Sequence, residues 1–168
     1  MKKIENELYF SYGSNMNLDQ MAHRCPGAQV IGNVKLPGYE LVFCGYPGNG
    51  VATVRPRLDG MVEGVLWRIT EDCEKSLDFY EGFPRLYGKE TLTVEDGTGS
   101  RYAVMAYTMN PPYCQQQAVP SHQYLQGILD GCRQNGIAQK PILQVYNKVR
   151  KETLMRQKKY EKKNDPIR

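Results

Sequence analysis

Leu8-Tyr9-Phe10-Ser11-Tyr12-Gly13-Ser14-Asn15-Met16-Asn17 runs from an apolar strand through a glycine turn into the start of a helix. The bulky residues over 8–12 favour an extended chain, and Gly13-Ser14 breaks it. Asn17 can cap the helix, with Gln20 three residues on placed to reach back. Cys25-Pro26-Gly27 then stops that helix early, because proline cannot continue it. A strand, a glycine turn and a helix N-terminus in succession aim several free backbone N–H groups at one point. That arrangement suits an anion or a partial negative charge. Gly13 lets the main chain approach a ligand closely, while Ser14 and Asn15 add side-chain donors and acceptors. A Gly-Ser turn before a capped helix is also a common local structure, so a site here needs support from elsewhere in the chain.

Outward from this stretch the pattern is strand-rich. Residues 30–35 and 39–44 read as strands joined by Leu36-Pro37-Gly38, and residues 51–55 and 61–69 as two more, after a Gly/Pro-rich loop. Thr70 can cap a helix over 71–81, which Gly82 closes and Pro84 prevents from continuing. Residues 89–95 and 101–109 form a hairpin across Asp96-Gly97-Thr98-Gly99. After a polar loop over 110–120, Ser121 caps a helix with Tyr124, Leu125, Ile128, Leu129 and Cys132 at helical spacing. Pro141 opens a last helix carrying Ile142, Val145, Tyr146 and Val149 on one face. Strands with segregated helices predict an α+β fold whose sheet can close into a barrel.

At 168 residues the chain suits a single domain, read as residues 1–157, followed by a basic tail over 158–168 that is expected to fray. The net charge of +4 belongs to the C-terminal end, since residues 147–168 hold nine Lys/Arg against three Asp/Glu and leave the rest near −2. No basic stripe crosses the body, so no nucleic-acid partner is expected. The run is read as a solvated helix end. The five cysteines are odd in number and have no C-x-x-C spacing, which argues against a disulfide scaffold and structural zinc and for buried free thiols in a reducing cytoplasm. No membrane association, cofactor or metal is expected, and the chain is read as a monomer or homodimer. The 12 tyrosines against 4 phenylalanines suit the walls of a polar-ligand pocket.

Glu81 is the second place that carries chemistry. On the helix after Thr70 the apolar positions are Cys73, Leu77 and Tyr80, and Glu81 lies four after Leu77 and eight after Cys73, on the inward side. It also sits in the last turn, where the helix dipole disfavours negative charge. Burial and dipole both push its pKa up, which suits a carboxyl that takes and returns a proton near neutrality. The plainer reading is a chain-end glutamate whose head reaches water. His23 and His122 have no metal-ligand spacing, no serine sits in a nucleophile elbow, and Arg55-Pro56-Arg57 can bind a carboxylate or simply stay solvated. A reaction needing only positioning, oxyanion stabilisation and one acid/base would fit this equipment.

Tyr9 to Met16 resembles the opening signature of the γ-glutamylcyclotransferase-like family, Y-G-S-N followed by an aliphatic residue. Leu77-Asp78-Phe79-Tyr80-Glu81-Gly82 resembles its L-D-x-x-E-G segment, whose glutamate is the catalytic acid/base. Asn49 to Val54 is similar to the family's G-I-A-T segment, Tyr87 sits where the family has a tyrosine, and Tyr124 matches the helix that borders the pocket. The resemblance spans residues 8 to about 140. It implies a barrel-like α+β fold of mixed sheet and a γ-glutamyl substrate that cyclises to 5-oxoproline. It also implies Glu81 as catalytic residue, and Tyr12, Gly13, Ser14, Asn15, Tyr87 and Tyr124 around the substrate, with Tyr87 orienting Glu81. Asn15 stands where the glutathione-specific branch has leucine, and Phe83-Pro84-Arg85-Leu86-Tyr87 is similar to the γ-glutamylamine branch. The leaving amine thus stays open among amino acids, amines and γ-glutamylated intermediates. The rival readings are a binding module that keeps the pocket without catalysis, and an adaptor acting through the basic tail.

Overall fold

A computed structural model describes residues 7–167. The chain runs β1 (Glu7–Ser11), α1 (Leu18–Arg24), β2 (Gln29–Tyr46), β3 (Asn49–Ile69), α2 (Glu71–Glu81), β4 (Tyr87–Glu95), β5 (Arg101–Met109), α3 (His122–Asn135) and α4 (Lys140–Lys163), with 3-10 turns at Ser14–Met16 and Tyr113–Gln115. The strands form a closed barrel in the order β1-β3-β2-β4-β5. Closure is made by a parallel contact of β1 with β5, at Tyr9 and Met105. The other pairings are antiparallel, so the sheet is mixed and the fold is α+β, with the helices outside the barrel.

The four short strands read over 30–69 are two long ones. β2 and β3 form one hairpin, paired from Gln29 with Arg68 to Tyr46 with Asn49. Pro37-Gly38 does not end a strand because it falls at a register shift, between the Pro37–Met61 and Tyr39–Pro56 pairs. A bulge leaves the ladder locally unpaired, so a proline without an N–H is tolerated there. Opposite, residues 57–60 of β3 have no partner on β2, and Leu58 is 90% exposed. The segment after β5 straps the hairpin's far end: Gly45 N–H donates to Gln116 O (2.9 Å), and Ala118 N–H to Phe43 O (3.0 Å).

The barrel core is built on Phe10, Phe43, Leu66 and Ile69, with Met16 and Leu77 closing it from the turn and from α2. Each such side chain contributes roughly 1.5–3 kcal/mol on burial. Cys25, Cys44, Cys73 and Cys132 are buried free thiols, and Cys114 is a partly buried one.

The helix caps are as the sequence predicts. Asn17, Thr70 and Ser121 accept from the backbone N–H groups of Gln20, Cys73 and Tyr124, and Gly82 and Gly136 close α2 and α3 with left-handed backbone. α4 buries Ile142, Tyr146 and Val149 and is helical as far as Lys163, past the Lys158 where the tail is read to begin. Its Lys/Glu/Gln-rich end has good helix propensity, and the Asn164 amide donates to Tyr160 O at 2.9 Å. Among the described residues no helix is long and apolar enough to cross a membrane.

Candidate active site

β1 ends at Ser11, and Tyr12-Gly13 carries the chain into the 3-10 turn Ser14–Met16. Met16 N–H donates to Gly13 O and Asn17 N–H to Ser14 O, both at 3.1 Å. The leading N–H groups of such a turn have no partner within it. Gly13 sits at a close approach: a Cβ there would lie 3.2 Å from the Ala52 Cβ and 3.5 Å from the Tyr124 hydroxyl. The tight neighbour is therefore the β3 wall, not only the ligand space inferred from sequence.

α3 lies hard against this turn. A Cβ on Gly131 would stand 2.8 Å from the backbone nitrogen of Asn17. The Asn17 amide donates to Gly127 O (3.0 Å) and the Asn135 amide to Met16 O (2.8 Å). One turn earlier on α3, the Tyr124 hydroxyl accepts from Ala52 N–H at 2.9 Å. Tyr87, on β4, donates to Ala52 O at 2.6 Å. The two tyrosines thus grip both polar groups of one β3 residue, and Tyr87 orients Ala52 rather than Glu81 as expected from sequence.

α2 brings Glu81. It is fastened to the barrel by Lys89 of β4, whose ammonium lies 2.6 Å from Glu74 and 2.9 Å from Asp78, and by the Tyr107 hydroxyl of β5, which donates to Asp78. The last turn of α2 then carries the Glu81 carboxyl to the turn after β1, where the Asn15 amide donates to its Oε1 at 3.2 Å. The same amide donates to the Tyr9 hydroxyl at 2.9 Å. Burial raises the Glu81 carboxyl to about 7, against the lowering effects of the Arg24 cation and the Asn15 hydrogen bond. Burial likewise pushes Tyr9, Tyr12, Tyr87 and Tyr124 well above the ordinary phenol range, so all four stay neutral.

These groups enclose a cavity of about 180 Å³ lined by Tyr12, Gly13, Ser14, Asn15, Glu81, Tyr87 and Tyr124, all the positions singled out from sequence. It is smaller than the roughly 300–1,000 Å³ of drug-sized sites. Tyr9, Tyr80 and Tyr107 also line it and were not singled out. Arg24 was missed too: its guanidinium donates to Asn15 Oδ1 at 2.6 Å and lies 3.4 Å from the centre of the Tyr80 ring. The available signal was its place three residues after buried Met21, on the same face of α1. His23 and His122 are exposed and lie outside the cavity. Arg55 and Arg57 do bind a carboxylate, that of Glu40, at 2.6 and 2.8 Å. Among the described residues no group of His, Cys, Asp and Glu could hold a metal ion.

A partly buried carboxyl poised near neutrality, facing the Asn15 amide in a small tyrosine-walled cavity, can move a proton on a bound ligand. Residues 9–126 match the family model described as gamma-glutamyl cyclotransferase, AIG2-like. The chain is 30% identical over 143 residues to a mouse gamma-glutamylcyclotransferase, covering 80% of this chain and 74% of the relative. It is 29% identical over 141 residues to the human gamma-glutamylcyclotransferase, covering 79% and 73%. A solved gamma-glutamyl cyclotransferase structure superposes with a TM-score of 0.74 at 28% identity, over 87% of each chain. The chain therefore belongs to the gamma-glutamyl cyclotransferase, AIG2-like family.

Proposed function

We propose that the protein converts a γ-glutamyl compound into 5-oxoproline and a free amine. The observation that carries this reading is the Glu81 carboxyl, raised to about 7 and held by Asn15 in the cavity beside Gly13 and Ser14. The named relatives support the reaction class.

The substrate brings its own nucleophile. Ionised Glu81 takes a proton from the α-ammonium, and the freed amine attacks the γ-carbonyl carbon of the same molecule. The C=O π electrons move to oxygen, and the leading N–H groups of the turn at Ser14–Met16 face the oxyanion. Glu81 returns that first proton to the leaving nitrogen and then takes a second one from the ring nitrogen, which the attack leaves with two protons and a positive charge. Collapse of the oxyanion breaks the bond to the leaving amine, and Glu81 passes this second proton to the amine, which departs as its ammonium. Every proton is thus accounted for with one acid/base, and a pKa near 7 serves both directions. Ring closure within one molecule draws ~7–11 kcal/mol from orientation when the chain is held folded. Tyr12, Tyr87 and Tyr124 form rigid walls that favour the folded glutamyl chain.

The test is 5-oxoproline release from a panel of γ-glutamyl amino acids, γ-glutamyl amines and γ-glutamylated intermediates. Wild type is expected to turn over at least one member. Glu81→Gln is expected to lose roughly 10²–10⁴-fold in kcat, the usual contribution of a positioned acid/base. A Gln variant that keeps full activity would remove Glu81 from the reaction. Binding without turnover across the panel would leave a ligand-binding protein.

A further inference from the structure

We propose that Arg24 is a positioning residue for this reaction: it locks the Asn15 side-chain amide in the one orientation that presents its NH2 group to Glu81. The inference rests on the reading of Glu81 as acid/base.

An asparagine amide has an acceptor end and a donor end, and flipping it exchanges them. Arginine can only donate. The Arg24 guanidinium sits 2.6 Å from Asn15 Oδ1, and within 3.4 Å of the Ser14 hydroxyl. A flipped Asn15 would set two donors against each other there. At the far end the unflipped NH2 has two acceptors, the Tyr9 hydroxyl at 2.9 Å and Glu81 Oε1 at 3.2 Å. A flipped amide would instead turn its carbonyl oxygen toward the carboxylate. The chain Arg24–Asn15–Glu81 therefore has a direction, and Arg24 sets it.

Arg24 is itself held on two sides. Its guanidinium stacks 3.4 Å from the centre of the Tyr80 ring, and Tyr80 precedes Glu81 on α2. The Ser14 and Tyr80 hydroxyls are 3.4 Å apart. One side chain at the end of α1 thus fixes the distance between the turn and the last turn of α2, which carry the two halves of the site. A planar guanidinium suits this task, since it can stack and hydrogen-bond together.

The same contacts act on the proton chemistry. The groups facing Glu81 are Arg24 from α1, Asn15 from the turn, Tyr9 from β1, Tyr12 after it, Tyr87 from β4 and Tyr124 from α3. The tyrosines are neutral, so the opposing charge is that of Arg24. Removing it takes away a nearby cation and frees Asn15 to turn its oxygen toward the carboxylate. Both changes disfavour ionised Glu81, so its pKa moves further up.

The experiment titrates Glu81 by carbon NMR in protein labelled at the glutamate carboxyl, and measures the pH profile of 5-oxoproline release, for wild type, Arg24→Gln and Arg24→Lys. In Arg24→Gln both curves are expected to move up by about 1–2 pH units, with roughly tenfold less kcat/KM at pH 7 and recovery toward wild type at higher pH. Arg24→Lys, which restores the cation, should bring both curves part of the way back. Arg24→Met keeps a long unbranched side chain beside Tyr80 without the cation and carries the same prediction if the Gln variant does not fold. Glu81 titrating in these variants as in wild type, or activity lost by one factor at every pH, would overturn the proposal. The titration needs no substrate. Failure of wild type to release 5-oxoproline would therefore remove the proposed reaction, while the NMR curves still judge the Arg24–Asn15–Glu81 lock.

Discussion

Glu81 costs stability where it is ionised. In the unfolded chain a glutamate titrates at about 4.5, and burial raises it to about 7 in the fold. The folded state therefore binds the proton more tightly, and the contribution falls as pH rises from about 4.5 through about 7. The shift converts to about 3 kcal/mol at most. Glu81→Gln removes this dependence while keeping the shape, so it should be more stable than wild type at pH 8, by up to about 3 kcal/mol, and should lose that advantage near pH 4. Urea melts of both proteins at the two pH values measure the difference. Glu7 is also raised to about 7, by burial and by Glu74, but it is common to both proteins and cancels. An equal gap at both pH values would show that the carboxyl is not buried in solution. The inward face of Glu81 and the direction of its shift were legible from its spacing to Cys73 and Leu77 and from its place in the last turn. Arg24 was not, because an arginine at a helix end reads as a solvated cation, and its partners Asn15 and Tyr80 lie on other elements.

The helices α1, α2 and α3 were legible to within a residue or two because their caps are local chemistry: Asn17, Thr70 and Ser121 each accept from a backbone N–H three residues on. Strand ends in β2 and β3 were not. Leu36-Pro37-Gly38 reads as a break, and only the partner strand shows that a register shift absorbs it. The docking of α3 on the turn was likewise hidden, since glycines at 127 and 131 weaken a helix when read alone. In the fold, Gly131 is where the backbone of Asn17 comes closest. Gly131→Val should therefore push α3 off the turn that carries Asn15. Overpacking of this kind costs roughly 1–3 kcal/mol, seen as a lower melting temperature. Because Tyr124 sits on the same helix, kcat/KM should fall as well. A valine accommodated with unchanged melting temperature and activity would mean that the helix is not seated as closely as the contact requires.

Across the whole molecule, basic charge and catalytic geometry are separated. The cavity is built by β1, its following turn, β3, α2, β4, β5 and α3, and none of its lining residues comes from α4. The buried positions of α4 end at Val149, while Leu154, Met155 and Tyr160 are 48%, 55% and 71% exposed. The helix beyond Lys158 is thus held by its own hydrogen bonds and propensity, with its apolar side chains largely in water. We propose that residues 158–168 form a dispensable appendage to a catalytic unit ending near 157. Residues 158–164 are exposed, and changes at exposed positions usually stay within about 0.5 kcal/mol, the size expected for a chain cut after residue 157. For a domain of this size that corresponds to a melting shift of about 1–2 °C. Activity on the preferred γ-glutamyl substrate should be unchanged, because among the described residues no cationic side chain of the removed segment lines the site. A thermal melt and a steady-state assay of the truncated chain check both points. A drop of many degrees would show that the end of α4 packs against a surface, and an intact melt with a raised KM would show that its charge draws the substrate in.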